Sequence, residues 1–446
     1  MRIFLSLSFI TLFSIHILAQ EPVRVAVIGG GMAGVSAAHH ILALNESIHV
    51  TLFEKESQLG GNARTVQVDN SHGNLISIDA GPQYFEDDLW ANYIAFLKIY
   101  NLYDENQIYA FSGSVVIEND LDKKPDFISP EGLKMRGGKF GDAMQFLKFF
   151  KSARKVFEKK VEYKDNVGEW VEELKLKPDF KKKVVLPFLA STLGTSVHQI
   201  KMCSTSDVVK LFASQKALKK SDFKVFGRGM GFIIQDIGVQ LEKNGVEIIR
   251  NAEVKNVKVF KKQYSIEFNE VEQLFDFVVF AAHPYQVKKI VENEPEFLRF
   301  TRVLNEFKYF PTRIVLHRDS SFVDRNRSSF MNVRTSKITN SVTSSTMNLG
   351  VVNPEWNGLY KSWMTEKQLE SVKANGFFIH QKTFNHPLIT PEFHSYLITL
   401  KHLEMEQIDI YFAGGWSEGL ETQETATNSG KKAADKVKTF LESKKN

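Results

Sequence analysis

The most constraining feature of this sequence is a strand, a glycine-rich turn and a helix that follow one another directly near its beginning. The β-branched run 23–28 is typical of a buried strand, and residues 29–34 read Gly-Gly-Gly-Met-Ala-Gly. A helical pattern over 35–44 follows, and a second strand pattern over 49–53 ends at Glu54. A turn of this kind at a helix N-terminus binds phosphate, so the segment predicts a dinucleotide site in a Rossmann-like α/β fold.

Each part of this opening has a physical task. Gly29 permits the tight turn out of the strand, and Gly31 lets the backbone approach a pyrophosphate. Gly34 lets the helix pack closely on the sheet. Glu54 would accept hydrogen bonds from ribose hydroxyls and would repel a 2′-phosphate, which argues against an NADP-type ligand. The alternative interpretation is a glycine-rich turn that has only a structural role.

The residues after Glu54 favour FAD over NAD. Gly60 and Gly61 allow a second close approach of the backbone, and Arg64 is placed to pair with a phosphate. A later strand pattern ends in the turn 79–85, which reads Asp-Ala-Gly-Pro-Gln-Tyr-Phe. These two segments resemble the flavin-containing amine oxidase superfamily. That superfamily places a Gly-Gly-Arg segment after its dinucleotide fingerprint and a turn of this kind near the flavin.

The resemblance extends to the end of the chain. Residues 410–416 resemble the late strand of the superfamily that ends in Phe-Ala-Gly, and 425–434 resemble the helix that follows it. In the superfamily this strand end approaches the pyrophosphate, and the helix start points N–H groups at the flavin pyrimidine ring. Residues 227–231 and 252–254 resemble the middle segment of the FAD domain, where the backbone would contact adenine. Residues 278–283 resemble the strand that re-enters this domain.

The resemblance implies a set of residues that would hold non-covalent FAD. The set is Gly29, Gly31, Met32, Ala33, Gly34, Glu54, Lys55, Gly60, Gly61, Asn62, Ala63, Arg64, Gly81, Gln83, Val254, Ala281, Gly414, Gly415, Thr425 and Ala426. Cys203 is the single cysteine, and it is not placed like a covalent flavin attachment site. Gln58 and Asn62 stand where the superfamily has arginine, which keeps a flavin-binding protein without turnover as an alternative.

A narrower resemblance lies in 307–319, which is similar to the Y-x-x-N-x-x-V-L-H-x-D stretch of one subgroup. These are the NAD/FAD-binding flavoproteins whose domain also begins the plant cyclopropane fatty acid synthases. Residues 185–187 and 384–388 fall where the subgroup has L-x-P and HP segments. Within the stretch, His317 and Asp319 face the same side of a strand. We favour a structural role for this pair over a polar site near substrate.

The resemblance implies an FAD-binding, Rossmann-like domain interleaved with an α+β substrate domain of mostly antiparallel sheet plus helices. We assign the FAD domain to 22–75, 225–290 and 405–446, and the substrate domain to 76–224 and 291–404. The expected reaction is hydride transfer from a C–H bond of the substrate to flavin N5. The superfamily favours an amine or amino acid as substrate, whereas the subgroup and the 36 phenylalanines favour a lipid. Superfamily members often hold a lysine near N5, but none of the lysines here aligns with it, so no catalytic residue is assigned. No metal site is assigned either.

Residues 1–20 have the order of a secretory signal, in which Arg2 precedes an apolar run that ends at the small residue Ala19. We expect a secreted or periplasmic protein, and an uncleaved membrane anchor is the alternative. The formal net charge of +5 is mild and indicates no nucleic-acid partner. Segment 137–164 combines phenylalanine with lysine, as in helices that lie on membranes. We favour a domain helix whose aromatic face packs on the core.

Overall fold

The computed structural model describes residues 21–44, 47–70, 72–111, 113–122, 125–129, 137–158, 165–212, 223–324 and 328–444. The predicted signal segment 1–20 lies outside these residues. None of the helices in the described ranges is both long and apolar enough to span a bilayer.

The strands are short and lie in five sheets. They are β1 (Val23–Ile28), β2 (Ile48–Phe53), β3 (Thr65–Asp69), β4 (Leu75–Asp79), β5 (Tyr84–Phe85), β6 (Ile108–Phe111), β7 (Val115–Asn119), β8 (Phe127–Ile128), β9 (Phe223–Phe226), β10 (Glu247–Ile249), β11 (Val254–Phe260), β12 (Gln263–Phe268), β13 (Val271–Phe275), β14 (Phe277–Phe280), β15 (Tyr309–His317), β16 (Met331–Thr335), β17 (Val342–Asn348), β18 (Tyr360–Met364), β19 (Phe378–Pro387) and β20 (Ile410–Phe412).

The α-helices range from a single turn to the long last helix. They are α1 (Met32–Leu42), α2 (Ala91–Ile99), α3 (Phe140–Glu158), α4 (Val167–Glu173), α5 (Pro178–Phe180), α6 (Leu186–Thr192), α7 (Val197–Met202), α8 (Thr205–Lys210), α9 (Met230–Lys243), α10 (Pro284–Val291), α11 (Leu298–Leu304), α12 (Glu366–Ala374), α13 (Pro391–Glu406) and α14 (Gln423–Ser443).

One sheet is parallel throughout, with the strand order β10-β2-β1-β14-β20. Val25 and Val27 on its central strand are fully buried, as expected for a strand covered on both faces. The first strand is confirmed at residues 23–28. The first helix begins at Met32, three residues earlier than predicted, because Gly31 is its extended N-cap and Met32, Ala33 and Gly34 form its first turn.

The two ends of the chain meet against this sheet. The Ser36 hydroxyl on α1 donates a buried hydrogen bond of 2.8 Å to the carbonyl of Thr427 on α14. A Cβ atom at Gly430 would lie 2.5 Å from the carbonyl oxygen of Ala33, so the two helices approach more closely than any side chain there would allow. The first and last helices therefore form one layer over the parallel sheet.

The second large sheet has the order β19-β15-β18-β17-β16-β7-β8 and is antiparallel except where β16 pairs with β7. Helices α3 to α8 pack with it around a core that includes Phe149, Trp170 and Phe188. The predicted fold class, a Rossmann-like unit interleaved with a mostly antiparallel α+β unit, is confirmed. The residue boundaries of the two domains stay a prediction.

Helix α3 corresponds to the phenylalanine- and lysine-rich segment. Phe146 and Phe149 are buried in the core, and Phe150 and Phe157 pack against it. The favoured interpretation, an aromatic face turned to the core, is confirmed for these residues. Part of the segment, 159–164, lies outside the described residues.

Candidate active site

The predicted cofactor residues gather at one edge of the parallel sheet, where its strands end. The residues that follow the strands are Gly29 after β1, Glu54 after β2, Ala281 after β14 and Gly414 shortly after β20. The loop after the short β10 leads to Val254, which begins β11. Ligands of open parallel sheets bind in the crevice outside this carboxyl edge. The geometry therefore brings together segments that are far apart in the sequence.

Two glycines at this edge have different roles. A Cβ at Gly34 would lie 1.9 Å from the carbonyl oxygen of Gly29, so Gly34 is needed for the fold itself. A Cβ at Gly31 would meet nothing nearer than the Cα of Gly61, at 3.7 Å. No side chain caps α1, and its first turn contains no acid. Room for a small group thus lies beside an electropositive helix N-terminus, which fits the approach of a phosphate.

Glu54 is held rigidly at the end of β2. It is buried, and its carboxylate accepts hydrogen bonds of 2.8 Å from the amides of Gly30 and Glu56. Its backbone carbonyl accepts from the Ala252 amide at 2.9 Å, which brings Val254 to the same corner of the sheet. Because each carboxylate oxygen has two lone pairs, Glu54 can still accept from ribose hydroxyls. The adjacent Lys55 side chain is exposed.

The second glycine turn, 60–63, packs between the first turn and the strand end near residue 80. The Gly60 amide donates to the Gly30 carbonyl at 2.9 Å, and a Cβ at Gly81 would lie 1.9 Å from the carbonyl oxygen of Asn62. Arg64 carries a buried Nε–H with no hydrogen-bond partner in the described part of the chain. A buried donor without an acceptor is costly, so Arg64 fits a ligand that supplies an acceptor oxygen.

Sequence reasoning missed Lys361, a buried lysine on β18. Its Nζ donates to the carbonyl of Gly81 and, at 3.0 Å, to Oε1 of Gln83. Burial lowers the pKa of Lys361 to about 8, and the negative charge of Asp79 opposes this shift. A lysine with such a pKa exchanges its proton near neutrality. The available signal was a lysine inside the otherwise mostly buried strand pattern 360–364.

The aspartate of the turn at 79–85 has a structural task. Both carboxylate oxygens of Asp79 accept from the Met230 amide, at 3.0 and 3.1 Å, and so cap the start of α9. Burial raises the pKa of Asp79 to about 6, and hydrogen bonds from Thr65 and Met230 oppose the shift. Asp79 therefore joins the turn to the middle segment 227–231.

The start of α14 is more self-contained than the resemblance implies. The Thr425 amide donates to the Thr422 hydroxyl at 3.1 Å, and the Ala426 amide donates to the Thr422 carbonyl at 3.0 Å. Because these two N–H groups already have acceptors, they are not free to donate to a flavin ring. The helix start can still stabilise negative charge on such a ring through the positive end of its dipole. Gly415 lies beneath this helix start, because its Cβ would be 3.0 Å from the Cα of Glu421.

A cavity of about 40 Å³ adjoins this helix start. Its walls are mainly apolar, with polar groups at its ends, and it is lined by Leu193, Cys203, Asp207, Val208, Phe310, His386, Pro387, Ile389, Leu420 and Glu421. Asp207 is paired, since it lies 2.6 Å from Nε2 of His394 and 3.0 Å from Nζ of Lys210. Although burial opposes ionisation, these two partners lower the pKa of Asp207 to about 2.

Glu421 is less well paired than Asp207. Its Oε1 lies 3.2 Å from Nδ1 of His283 without hydrogen-bond alignment, and its Oε2 lies 4.0 Å from Nδ1 of His386. Burial lowers the pKa of His386, so this imidazole is neutral at pH 7. Burial and the charge of Glu421 hold the pKa of Tyr309 well above its usual value. The Tyr309 hydroxyl and Glu421 Oε2 are both buried without hydrogen-bond partners among the described residues.

His317 and Asp319 do not belong to this site. The His317 Nδ1 accepts from the Asp319 backbone amide at 3.1 Å, and its Nε2 lies 2.7 Å from the hydroxyl of Ser362. His317 is fully buried, and burial lowers its pKa to about 4. The structural interpretation of this pair is confirmed.

Comparisons with known proteins agree with this geometry. Residues 27–97 match the NAD(P)-binding Rossmann-like domain family. A coproporphyrinogen III oxidase of Staphylococcus aureus is 24% identical over 309 residues, which cover 59% of this chain and 61% of the relative. The chain therefore spans about three fifths of the length of that curated relative.

Two solved structures share the architecture along almost the whole chain. The cyclohexylamine oxidase of Brevibacterium oxydans IH-35A has a TM-score of 0.65 at 13% identity, covering 94% of this chain and 100% of its own. A fatty acid isomerase from P. acnes that produces CLA has a TM-score of 0.65 at 11% identity, covering 94% and 99%.

The chain has the fold of this cyclohexylamine oxidase and this isomerase, and its residues 27–97 match a Rossmann-like dinucleotide-binding domain. The predicted resemblance to the amine oxidase superfamily is confirmed at the level of the fold. The names of the relative and of the cyclohexylamine oxidase describe oxidases, which agrees with an oxidoreductase as the predicted class.

Proposed function

We propose that this protein is an FAD-dependent oxidoreductase of the amine-oxidase-like type. The observation that carries the proposal is the room for a small group at Gly31, beside an uncapped helix N-terminus and within a turn whose other glycines are tightly packed. A purely structural turn has no need for that space. The unpartnered Nε–H of Arg64 at the same edge of the sheet supports the proposal independently.

The residues of the chain divide the work of the site. The α1 N-terminus at Gly31 would bind the pyrophosphate, Glu54 would orient the ribose, and Arg64 would pair with an oxygen of the cofactor. When bound, FAD would supply the acceptor for a hydride, which carries the two electrons of the oxidation. Lys361 would hold a proton near neutral pH, because burial places its pKa at about 8. The apolar walls of the cavity would exclude water from the reacting bond.

The substrate that the cavity favours carries an amine. Its lining contains two carboxylates, those of Asp207 and Glu421, and neither a lysine nor an arginine. Because Asp207 is firmly paired and Oε2 of Glu421 has no hydrogen-bond partner among the described residues, Glu421 is the group that would attract a cation or a hydrogen-bond donor. A substrate with a free carboxylate would instead be repelled by the negative charge of Glu421.

A lipid-like substrate is the second candidate. The fatty acid isomerase shares the fold, and most of the cavity wall is apolar. A neutral acyl group would suit this wall better than a free fatty acid would, because Glu421 repels the carboxylate of an acid.

The first test is the absorption spectrum of the purified protein. We expect a flavin band near about 450 nm that is released by acid, because Cys203 is buried and has no attachment role. Anaerobic addition of amines should bleach the band, whereas bleaching only by unsaturated acyl lipids would support the second candidate. A protein that stays colourless after incubation with FAD would contradict the whole proposal. A yellow protein that no substrate reduces would support a flavin-binding protein without turnover.

Export also remains our proposal, and it rests on the order of residues 1–20 alone. Mass spectrometry of the mature N-terminus from the native host distinguishes a cleaved signal from a retained anchor.

A further inference from the structure

Helix α3 exposes a straight stripe of five residues, which we call the lysine stripe. Its members are Phe140, Met144, Lys148, Lys151 and Lys155. Their spacings of four, four, three and four residues put them on one side of a helix. All five are exposed, and Phe140 is 72% and Met144 41% accessible. The stripe therefore begins with two apolar anchors and continues with three cations.

The opposite face of α3 fixes the orientation of the stripe. Ala143, Phe146, Phe149 and Ala153 are buried on that face. The Phe149 ring stacks on Phe212 with a centroid separation of 5.6 Å. Because this face belongs to the core, α3 cannot rotate to bury Phe140 and Met144 without breaking the core. The exposure of the two apolar side chains is a property of the fold.

The three lysines of the stripe have no carboxylate partner in the part of the chain that the structure describes. Within the described residues, Lys148, Lys151 and Lys155 have no carboxylate within 4.0 Å. The acids on α3 are Asp142 in the first turn and Glu158 at the end, and Glu158 is paired with Arg154. A row of three free lysines behind two apolar side chains matches a surface that is anionic outside and apolar beneath.

We propose that the lysine stripe docks on an anionic lipid surface. Phe140 and Met144 would enter the boundary between headgroups and acyl chains, and the three lysines would lie against lipid phosphates and carboxylates. An acidic protein or a nucleic acid would match the lysines but would leave both apolar side chains without a partner. The combination of the two features therefore selects a membrane.

The docked surface would lie one helix away from the cavity. The buried face of α3 packs against α8, which carries Asp207 and Val208 of the cavity lining. If the proposed function holds, an amphiphilic substrate would reach the cavity from the bilayer. Docking itself does not depend on that function, so the two proposals can fail separately.

A fluorescent probe on α3 tests insertion directly. A polarity-sensitive, thiol-reactive probe is attached to a Met144→Cys variant of the full chain, since Cys203 is buried and burial raises its pKa to about 12. Vesicles of phosphatidylcholine mixed with phosphatidylserine should shift the emission to the blue, and pure phosphatidylcholine should not. The same probe on a Lys367→Cys variant, on the exposed side of α12, should not respond to either vesicle. An unchanged emission at position 144 would overturn the proposal, as would a shift without vesicles that grows with protein concentration, because that result would indicate self-association.

Charge reversal tests the role of the lysines. Replacing Lys148, Lys151 and Lys155 with glutamate should weaken binding to the mixed vesicles by about tenfold or more. Raising the salt concentration should weaken wild-type binding in the same direction. The matched control replaces Lys262, Lys367 and Lys438 with glutamate. These are three exposed lysines outside α3, and this variant should bind the vesicles like wild type. Because residues 1–20 are the same in every variant, their own membrane affinity cancels in the comparison. The proposal would be contradicted if the stripe variant bound the vesicles as well as wild type does, or if the control variant lost as much binding as the stripe variant. The flavin content of each variant reports separately on the proposed function.

Discussion

The two sides of the candidate site are built in different ways. The edge of the parallel sheet around Gly31 is built from backbone groups, whose positions are fixed by contacts such as that between Gly34 and the Gly29 carbonyl. The side that faces the antiparallel sheet consists of single side chains, such as Lys361 and Glu421, from segments that are far apart in the chain. Backbone sites tolerate almost no change, whereas isolated side chains can change without loss of the fold. We infer that the first side determines the cofactor and the second side determines the substrate.

The largest effect should follow from Gly31→Val, which places a branched side chain at the start of α1 where the pyrophosphate would approach. Since a Cβ at this position meets nothing nearer than 3.7 Å, the apoprotein should fold with an unchanged melting temperature but lose FAD. Flavin absorbance per protein and thermal melting measure the two effects. Gly141→Ala, at a glycine with no neighbour within 4 Å, is the control. Retention of FAD by Gly31→Val would show that the pyrophosphate lies elsewhere.

Lys361→Gln should leave FAD bound but slow its anaerobic reduction by about 100-fold. In wild type, the reduction rate should rise with pH through about 8, because the uncharged, proton-accepting amine of Lys361 becomes populated there. This rise should be absent in the variant. Stopped-flow reduction across the pH range measures both effects, with Lys382→Gln on the same sheet as control. A variant that keeps the pH profile of wild type would remove Lys361 from the reaction.

Glu421→Gln separates the two substrate classes. If the substrate is an amine, kcat/KM should fall by about tenfold, because a charged hydrogen bond is replaced by a neutral one. If it is a neutral lipid, kcat/KM should hardly change. Glu406→Gln, an exposed carboxylate on α13, is the matched control. A gain in activity with a fatty acid would indicate that Glu421 excludes anions.

Thr422→Ala should have the smallest effect. Loss of the N-cap of α14 should lower the free energy of unfolding by about 1 kcal/mol and leave flavin content unchanged. Thr365→Ala, which removes the equivalent capping box of α12, should cost about as much, and denaturant unfolding measures both. If Thr422→Ala loses flavin while Thr365→Ala does not, the start of α14 belongs to the backbone side of the site.

The same contrast explains what the sequence could predict. The glycine turn and β1 are marked by local patterns, because backbone geometry limits which residues fit there, and the resemblance implies that 413–430 meets the turn at 29–34. Lys361 has no such pattern, since its lowered pKa arises from burial in the folded chain, and the charge of Asp79, which opposes that shift, comes from nearly three hundred residues away. The sequence also could not predict that the Thr425 amide donates to the N-cap Thr422. The same residue types can form a helix start that binds a ligand or one that is capped by its own side chains.

The pairing of α1 with α14 has a consequence for biosynthesis. Strand β20 and helix α14 leave the ribosome well after β1, α1 and β14, yet they cover α1 and complete the edge of the sheet at Gly414. Until then, the apolar surface of α1 and one edge of β14 stay uncovered, which is the kind of surface that chaperones bind. The nucleotide site is incomplete until these two elements have emerged, so we expect cofactor loading and release from chaperones to follow that step together.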